Sequence, residues 1–188
     1  MLNLKKNLWN VPNVLTMIRM GLIPVYWVLI LKDLRMEALS VYAIASLTDL
    51  LDGYIARRYR LITDFGKLMD PVADKLMVIS VMLSMVLKKV IPLLPLIILA
   101  TKEFMMLLGA GVMLSKGEVV FAKWAGKLAQ AVIVTSLVLC FFSDFFSASG
   151  FPLHLILLWI GVGLTLYAFV YYCRMSMKML RESKGKTA

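Results

Sequence analysis

The chain is poor in charge, in histidine and in cysteine, and each shortage narrows what it can be. Charged residues make up 17% of its 188 positions and apolar residues 61%, whereas a soluble domain carries about 25% and about 45–50%. Too little charge remains to coat one soluble globule, and so much apolar surface also argues against disorder. Histidine occurs once, at His154, and cysteine twice, at Cys140 and Cys173. With both cysteines inside apolar runs, no CxxC and no His/Cys cluster, a disulfide framework or a zinc site is not expected. His154, beside Pro152 at the start of an apolar run, reads as an interfacial residue. The N-terminal stretch from Met1 to Lys6 lacks the apolar core and small-residue cleavage site of a signal peptide, so the first hydrophobic run reads as a retained anchor. No internal repeat is evident.

What is present is apolar sequence in span-sized pieces. A membrane-crossing helix needs roughly 20 apolar residues. Residues 1–12 form a short amphipathic lead-in, with Leu2, Leu4, Leu8 and Trp9 against Lys5 and Lys6. Apolar helices are then expected over about 13–31, 37–58, 66–87, 91–114, 119–142 and 152–174, the last with a basic extension. The fold class is all-α integral membrane: six transmembrane helices, an N-terminal interfacial segment, and one domain over 1–188. No length remains for a soluble catalytic domain, so any chemistry must be built from the helices and their ends.

Acidic residues are also scarce, 11 against 21 basic, for a formal charge of +10. Six spans place both termini on one side, and that side collects fourteen of the basic residues. The other side holds only Lys32, Arg35, Lys88 and Lys89, while Arg19, Lys75 and Lys102 lie inside spans. This asymmetry puts both termini in the cytoplasm and accounts for the net charge without nucleic acid as a partner.

Four of the few carboxylates sit where they are costly. An ionisable group at the centre of a spanning helix costs at least ~2.5–3.5 kcal/mol on insertion scales, less near the ends. Asp49 and Asp52 are three residues apart on the second helix, followed on the same stripe by Gly53 and Ala56. Gly66, Asp70 and Asp74, spaced by four, make a second stripe on the third helix. Only 58–65 separates the two, so the helices should be antiparallel neighbours with their carboxylates facing near the cytoplasmic surface. Four such groups repel unless cations sit among them, and all-oxygen ligation selects Mg²⁺, Mn²⁺ or Ca²⁺. Two ions suit in-line displacement at a phosphate. Arg57 adds a planar donor fork for a phosphate or nucleotide, and the start of the third helix, after Thr63 and Asp64, offers free N–H groups to an oxyanion.

Together, Asp49-x-x-Asp52-Gly53-x-x-Ala56-Arg57, eight residues, then Gly66-x3-Asp70-x3-Asp74 resembles the signature of the CDP-alcohol phosphotransferase family. The signature covers 49–74. Pro12-Asn13 through Thr16 and Arg19 also resembles the opening of the first span in bacterial members. Thr63-Asp-Phe-Gly66 and Asp70-Pro71-x-Ala73-Asp74-Lys75 resemble the branch that makes phosphatidylglycerophosphate and the related cardiolipin synthases. The resemblance implies a metal-dependent transferase of the cell membrane, its site facing the cytoplasm, that releases CMP from CDP-diacylglycerol. It implies Asp49, Asp52 and Asp70 as ligands of Mg²⁺ or Mn²⁺, with two ions, and Asp74 as general base and further ligand. It implies Gly53, Ala56, Arg57 and Gly66 around the cytidine diphosphate, Asn13 and Thr63 at the lipid pyrophosphate, and a homodimer.

The resemblance implies a glycerol-type alcohol as acceptor, with glycerol 3-phosphate placed first and phosphatidylglycerol, as in a cardiolipin synthase, second. A phosphate on the acceptor needs two or three cationic donors. Lys102, Lys123 and Lys127 are the candidates, with Arg19 behind them, although Lys102 is equally placed to pair with Glu103. A cation transporter is the alternative from another class. Against it, the carboxylates cluster near one surface and no midplane pair of interrupted helices is evident.

Overall fold

A computed structural model describes residues 11–59, 64–115, 124–148 and 150–185. Its described residues form helices and no strand: α1 (Val11–Leu31), α2 (Arg35–Tyr59), α3 (Asp64–Leu87), α4 (Leu93–Ser115), α5 (Trp124–Cys140), α6 (Ser143–Ala148) and α7 (Leu153–Gly185). The chain divides into two compact units, Met1–Lys88 and Lys89–Ala188.

The six long helices overlap the six apolar runs, with shifts at their ends. Of the lead-in, 1–10 lies outside the described residues, and Val11 and Pro12 already belong to α1. Proline is at home there, because a first-turn residue needs no N–H for the helix ladder. α4 starts at Leu93, after Pro92, rather than at 91. α5 ends at Cys140, where Phe141 and Phe142 donate back to Val138 and Leu139 in a tight turn. The short α6 that follows has no counterpart among the apolar runs. The basic extension of the last run is helical, carrying α7 to Gly185.

α1 ends in a left-handed cap. Leu34 N–H donates to Leu29 O at 3.1 Å and Asp33 N–H to Ile30 O at 3.3 Å, with Asp33 at φ 59°. That pair of bonds is a Schellman motif, and Asp tolerates the left-handed conformation better than most residues. The Asp33 carboxylate accepts a hydrogen bond from the Lys88 ammonium just beyond α3, so the turn after α1 is tied to the end of α3.

In the first unit α1 packs against both α2 and α3, which also touch each other. Each buried face changes character along its length. On α1 it reads Asn13, Thr16, Arg19, then Tyr26 and Ile30; on α2, Ala38, Tyr42, Ala45, then Asp49; on α3, Asp70, Ala73, Asp74, then Met77, Val81 and Ser84. Successive helices run in opposite directions, so the three polar stretches share one end and the apolar stretches the other. At the apolar end Tyr26 and Ser84 hydroxyls meet at 2.5 Å. Ser84 gives its proton to Val81 O at 2.7 Å, which leaves Tyr26 as donor.

The second unit is organised on α7, against which α4, α5 and α6 pack. Its core includes Leu99, Ile133, Leu137, Leu158 and Val162. α5 and α7 approach closely at Gly161, where an added Cβ would lie 2.7 Å from Ile133 Cγ1 and 3.3 Å from its backbone N. His154, expected at an interface, is only 4% exposed. Its ring lies 5.7 Å from that of Phe146 and its carbonyl accepts from Ser136 Oγ at 2.8 Å. Packing by α6 covers it, which the sequence around Pro152 did not reveal.

Among the described residues two helices are long and apolar enough to cross a bilayer, Asn13–Leu31 and Leu153–Met177, and Gly126–Cys140 is a shorter apolar helix. The outer face of α1 is apolar, with Met17, Ile18, Val25, Val28 and Leu31 exposed, while its inner face holds Asn13, Thr16 and Arg19. A polar interior under an apolar surface is the arrangement a lipid environment calls for.

Candidate active site

The site lies in the first unit, where the polar ends of three helices coincide. Arg19 on α1 is 1% exposed, and its Nη1 lies 2.9 Å from Asp49 Oδ1 on α2. One turn earlier on α1, Thr16, fully buried, donates a hydrogen bond to Asp70 Oδ1 on α3. Asn13 completes the row and is buried too. The three α1 residues recur every third position, so they fall along one side of the helix.

Asp74 follows Asp70 by one turn and is half-buried, as are Asp49 and Asp70. Asp49 feels the charge of Asp70, and Asp74 feels those of Asp49, Arg19 and Lys75. The carboxylates of the two helices are thus brought close enough to repel, through partly desolvated surroundings that strengthen the repulsion. Arg19 offsets one of the three charges. What remains is an oxygen-only donor set with excess negative charge, which fits a hard divalent cation better than zinc or copper. Among the described residues no three metal-ligating side chains converge on a single point. Asp52, the fourth carboxylate, lies on α2, but its side chain is outside the described set.

The same limit applies to most of the expected nucleotide site. Gly53, Ala56 and Arg57 lie on α2 and Gly66 on α3, one helical turn before Asp70, with nothing described of their surroundings. Thr63 and Lys123 fall outside the described residues. Of the expected acceptor lysines, Lys102 forms an ion pair with the adjacent Glu103, both largely buried. Lys127 stands 5.7 Å over the Trp124 ring. Both belong to the second unit.

Two contributors stand outside the roles expected from the sequence: Thr16 enters there only through a resemblance, and Arg19 only as an acceptor-side cation. Their spacing with Asn13, a polar row every third residue inside an apolar span, was the available signal.

A family model described as CDP-alcohol phosphatidyltransferase matches residues 9–167. A Bacillus subtilis protein named CDP-diacylglycerol--glycerol-3-phosphate 3-phosphatidyltransferase is 31% identical over 194 residues, covering 94% of this chain and 100% of that protein. A Rickettsia bellii protein of the same name is 39% identical over 99 residues, 51% of this chain and 55% of its own length. A Rattus norvegicus cardiolipin synthase (CMP-forming) is 41% identical over 106 residues, 56% of this chain and 35% of that protein.

Proposed function

The chain belongs to the CDP-alcohol phosphatidyltransferase family, and from that premise we propose that it transfers the phosphatidyl group of CDP-diacylglycerol to glycerol 3-phosphate. The products are phosphatidylglycerophosphate and CMP. The observation that carries the acceptor is similarity over the full length of a relative named for that reaction. Carboxylates clustered at one end of the first unit supply the chemistry such a transfer needs.

The acceptor hydroxyl oxygen attacks the phosphorus that carries the diacylglycerol. An O–P bond forms there as the bond from that phosphorus to the bridging oxygen breaks, and CMP leaves with the electron pair. Asp74 takes the hydroxyl proton on a carboxylate oxygen. Asp49, Asp52 and Asp70, joined by Asp74, would hold the divalent metal, Mg²⁺ or Mn²⁺ in two sites. When bound, the metal neutralises the pyrophosphate and the charge that develops on CMP. Gly53, Ala56, Arg57 and Gly66 cradle the cytidine diphosphate, Arg57 by its guanidinium and the others by their lack of bulk. Asn13 and Thr63 bind at the lipid pyrophosphate, and Lys102, Lys123 and Lys127 at the acceptor phosphate.

The whole chain, 1–188, acts as one membrane domain with six spans, both termini and the site on the cytoplasmic side, and works as a homodimer. The fourteen-to-four distribution of basic residues supports the orientation, and the exposed apolar face of α1 supports contact with lipid. The cation-transport alternative has no further support once the family is known.

Phosphatidylglycerol as acceptor is the second reading, favoured by the partial match to a cardiolipin synthase. Purified protein supplied with CDP-diacylglycerol and each acceptor in turn, with the lipid products separated, distinguishes the two. Phosphatidylglycerophosphate from glycerol 3-phosphate is the expected product. Turnover with phosphatidylglycerol alone reverses the assignment.

A further inference from the structure

We propose that Thr16 and Arg19 of α1 are positioning residues for the metal carboxylates. Each holds one oxygen of an aspartate from a different helix, so that the second oxygen is presented to the cation. The inference rests on the metal-dependent reading above and adds to it a role for a helix that carries no part of the 49–74 signature.

The geometry is reciprocal. Thr16 donates to Oδ1 of Asp70 on α3, and Arg19 sits on Oδ1 of Asp49 on α2 at 2.9 Å. A carboxylate has two oxygens, and a partner fixed on one of them limits rotation about the Cβ–Cγ bond and so aims the other. Both partners are at most 1% exposed and sit three residues apart on one helix, so their mutual placement is set by backbone rather than by mobile side chains. The guanidinium restrains Asp49 and offsets part of its repulsion with Asp70 and Asp74. Thr16 acts without charge. Such supporting contacts orient metal ligands, and their loss typically lowers metal affinity by about 10–100-fold.

Thr16 gives the cleaner test because its replacement changes no charge. Mn²⁺ binding to the purified full-length protein in detergent is measured from the electron paramagnetic resonance signal of free Mn²⁺, without substrate or turnover. Thr16→Val, of similar shape but with no donor, is expected to weaken Mn²⁺ binding by about 10-fold or more, and Thr16→Ser to restore it. Arg19→Lys, keeping charge but losing the planar fork, should fall between wild type and Arg19→Met. Wild-type affinity in Thr16→Val overturns the proposal. If Thr16→Val does not yield folded protein, Thr16→Ala takes its place, and wild-type affinity there overturns it equally. A wild-type protein that binds no Mn²⁺ yet releases CMP would instead defeat the metal-dependent reading on which the proposal stands.

Discussion

Replacing Asp49 with alanine should destabilise the protein even when no metal or substrate is present. Arg19 is 1% exposed and lies 2.9 Å from the Asp49 carboxylate, whose own side chain is 38% exposed. Removing one partner of a fully buried ion pair costs about 3–5 kcal/mol. Water reaching the open side of Asp49 screens the pair, so roughly half of that, ~2 kcal/mol, is the expected loss. For a chain of this size about 2 kcal/mol corresponds to a fall in Tm of about 4–8 °C. Thermal unfolding in detergent with EDTA measures this without any contribution from metal. Asp49→Asn, which keeps an oxygen acceptor, should lose less. The double variant Arg19→Met/Asp49→Ala should melt above Asp49→Ala alone, because the buried charge is gone as well. If Asp49→Ala melts with the wild type, or if the two substitutions simply add, the ion pair does not hold α1 to α2 and the reasoning fails.

Three further outcomes are expected. Asp74→Asn should lower CMP release by at least about 10²-fold while CDP-diacylglycerol binding, measured by thermal shift, is largely spared; near-normal release removes Asp74 from the proton-accepting role. Gly161→Ala should destabilise by about 1–3 kcal/mol because the new methyl meets Ile133 at 2.7 Å and its backbone at 3.3 Å. Gly163→Ala, with nothing within 4 Å, should be neutral or stabilising, and equal melting of the two variants contradicts the close approach of α5 and α7. The hydrogen bond from Lys88 holds the Asp33 carboxyl below its ordinary value of 3.8. The contribution of this contact is therefore present above that ordinary value and is lost as pH falls through the depressed one. Unfolding measured between neutral and acidic pH should lose a small part of its acid sensitivity in Asp33→Asn, and an unchanged profile refutes the link.

The helical architecture was legible because the chemistry that favours it is local. Apolar runs of span length, helped by the prolines at 12, 92 and 152, mark ten of the twelve ends of the six long helices to within two residues. α6 was not legible, because a six-residue helix inside the apolar stretch after Cys140 has no pattern of its own and is secured by packing on α7. The two carboxylate stripes were visible from spacings of three and four. Their attachment to α1 was not, since Arg19 and Asp49 are thirty residues apart and Thr16 and Asp70 fifty-four. The expectation that α2 and α3 face one another missed α1, which packs against both and holds an aspartate from each. Lys102 shows the opposite case. Its pairing with Glu103 is between sequence neighbours, and that alternative was already apparent from the chain.

Whether the aspartates gathered at one end of the first unit work through a divalent cation to move a phosphatidyl group is decided by CMP release as a function of metal. Purified protein is given CDP-diacylglycerol and glycerol 3-phosphate after chelation, and Mg²⁺ or Mn²⁺ is then titrated back. No release is expected in the chelated sample, and saturable recovery in the wild type. Recovery should be weakened in Asp70→Asn. Full turnover in the presence of chelator, or a titration curve unchanged in Asp70→Asn, contradicts a metal-dependent role for the aspartates.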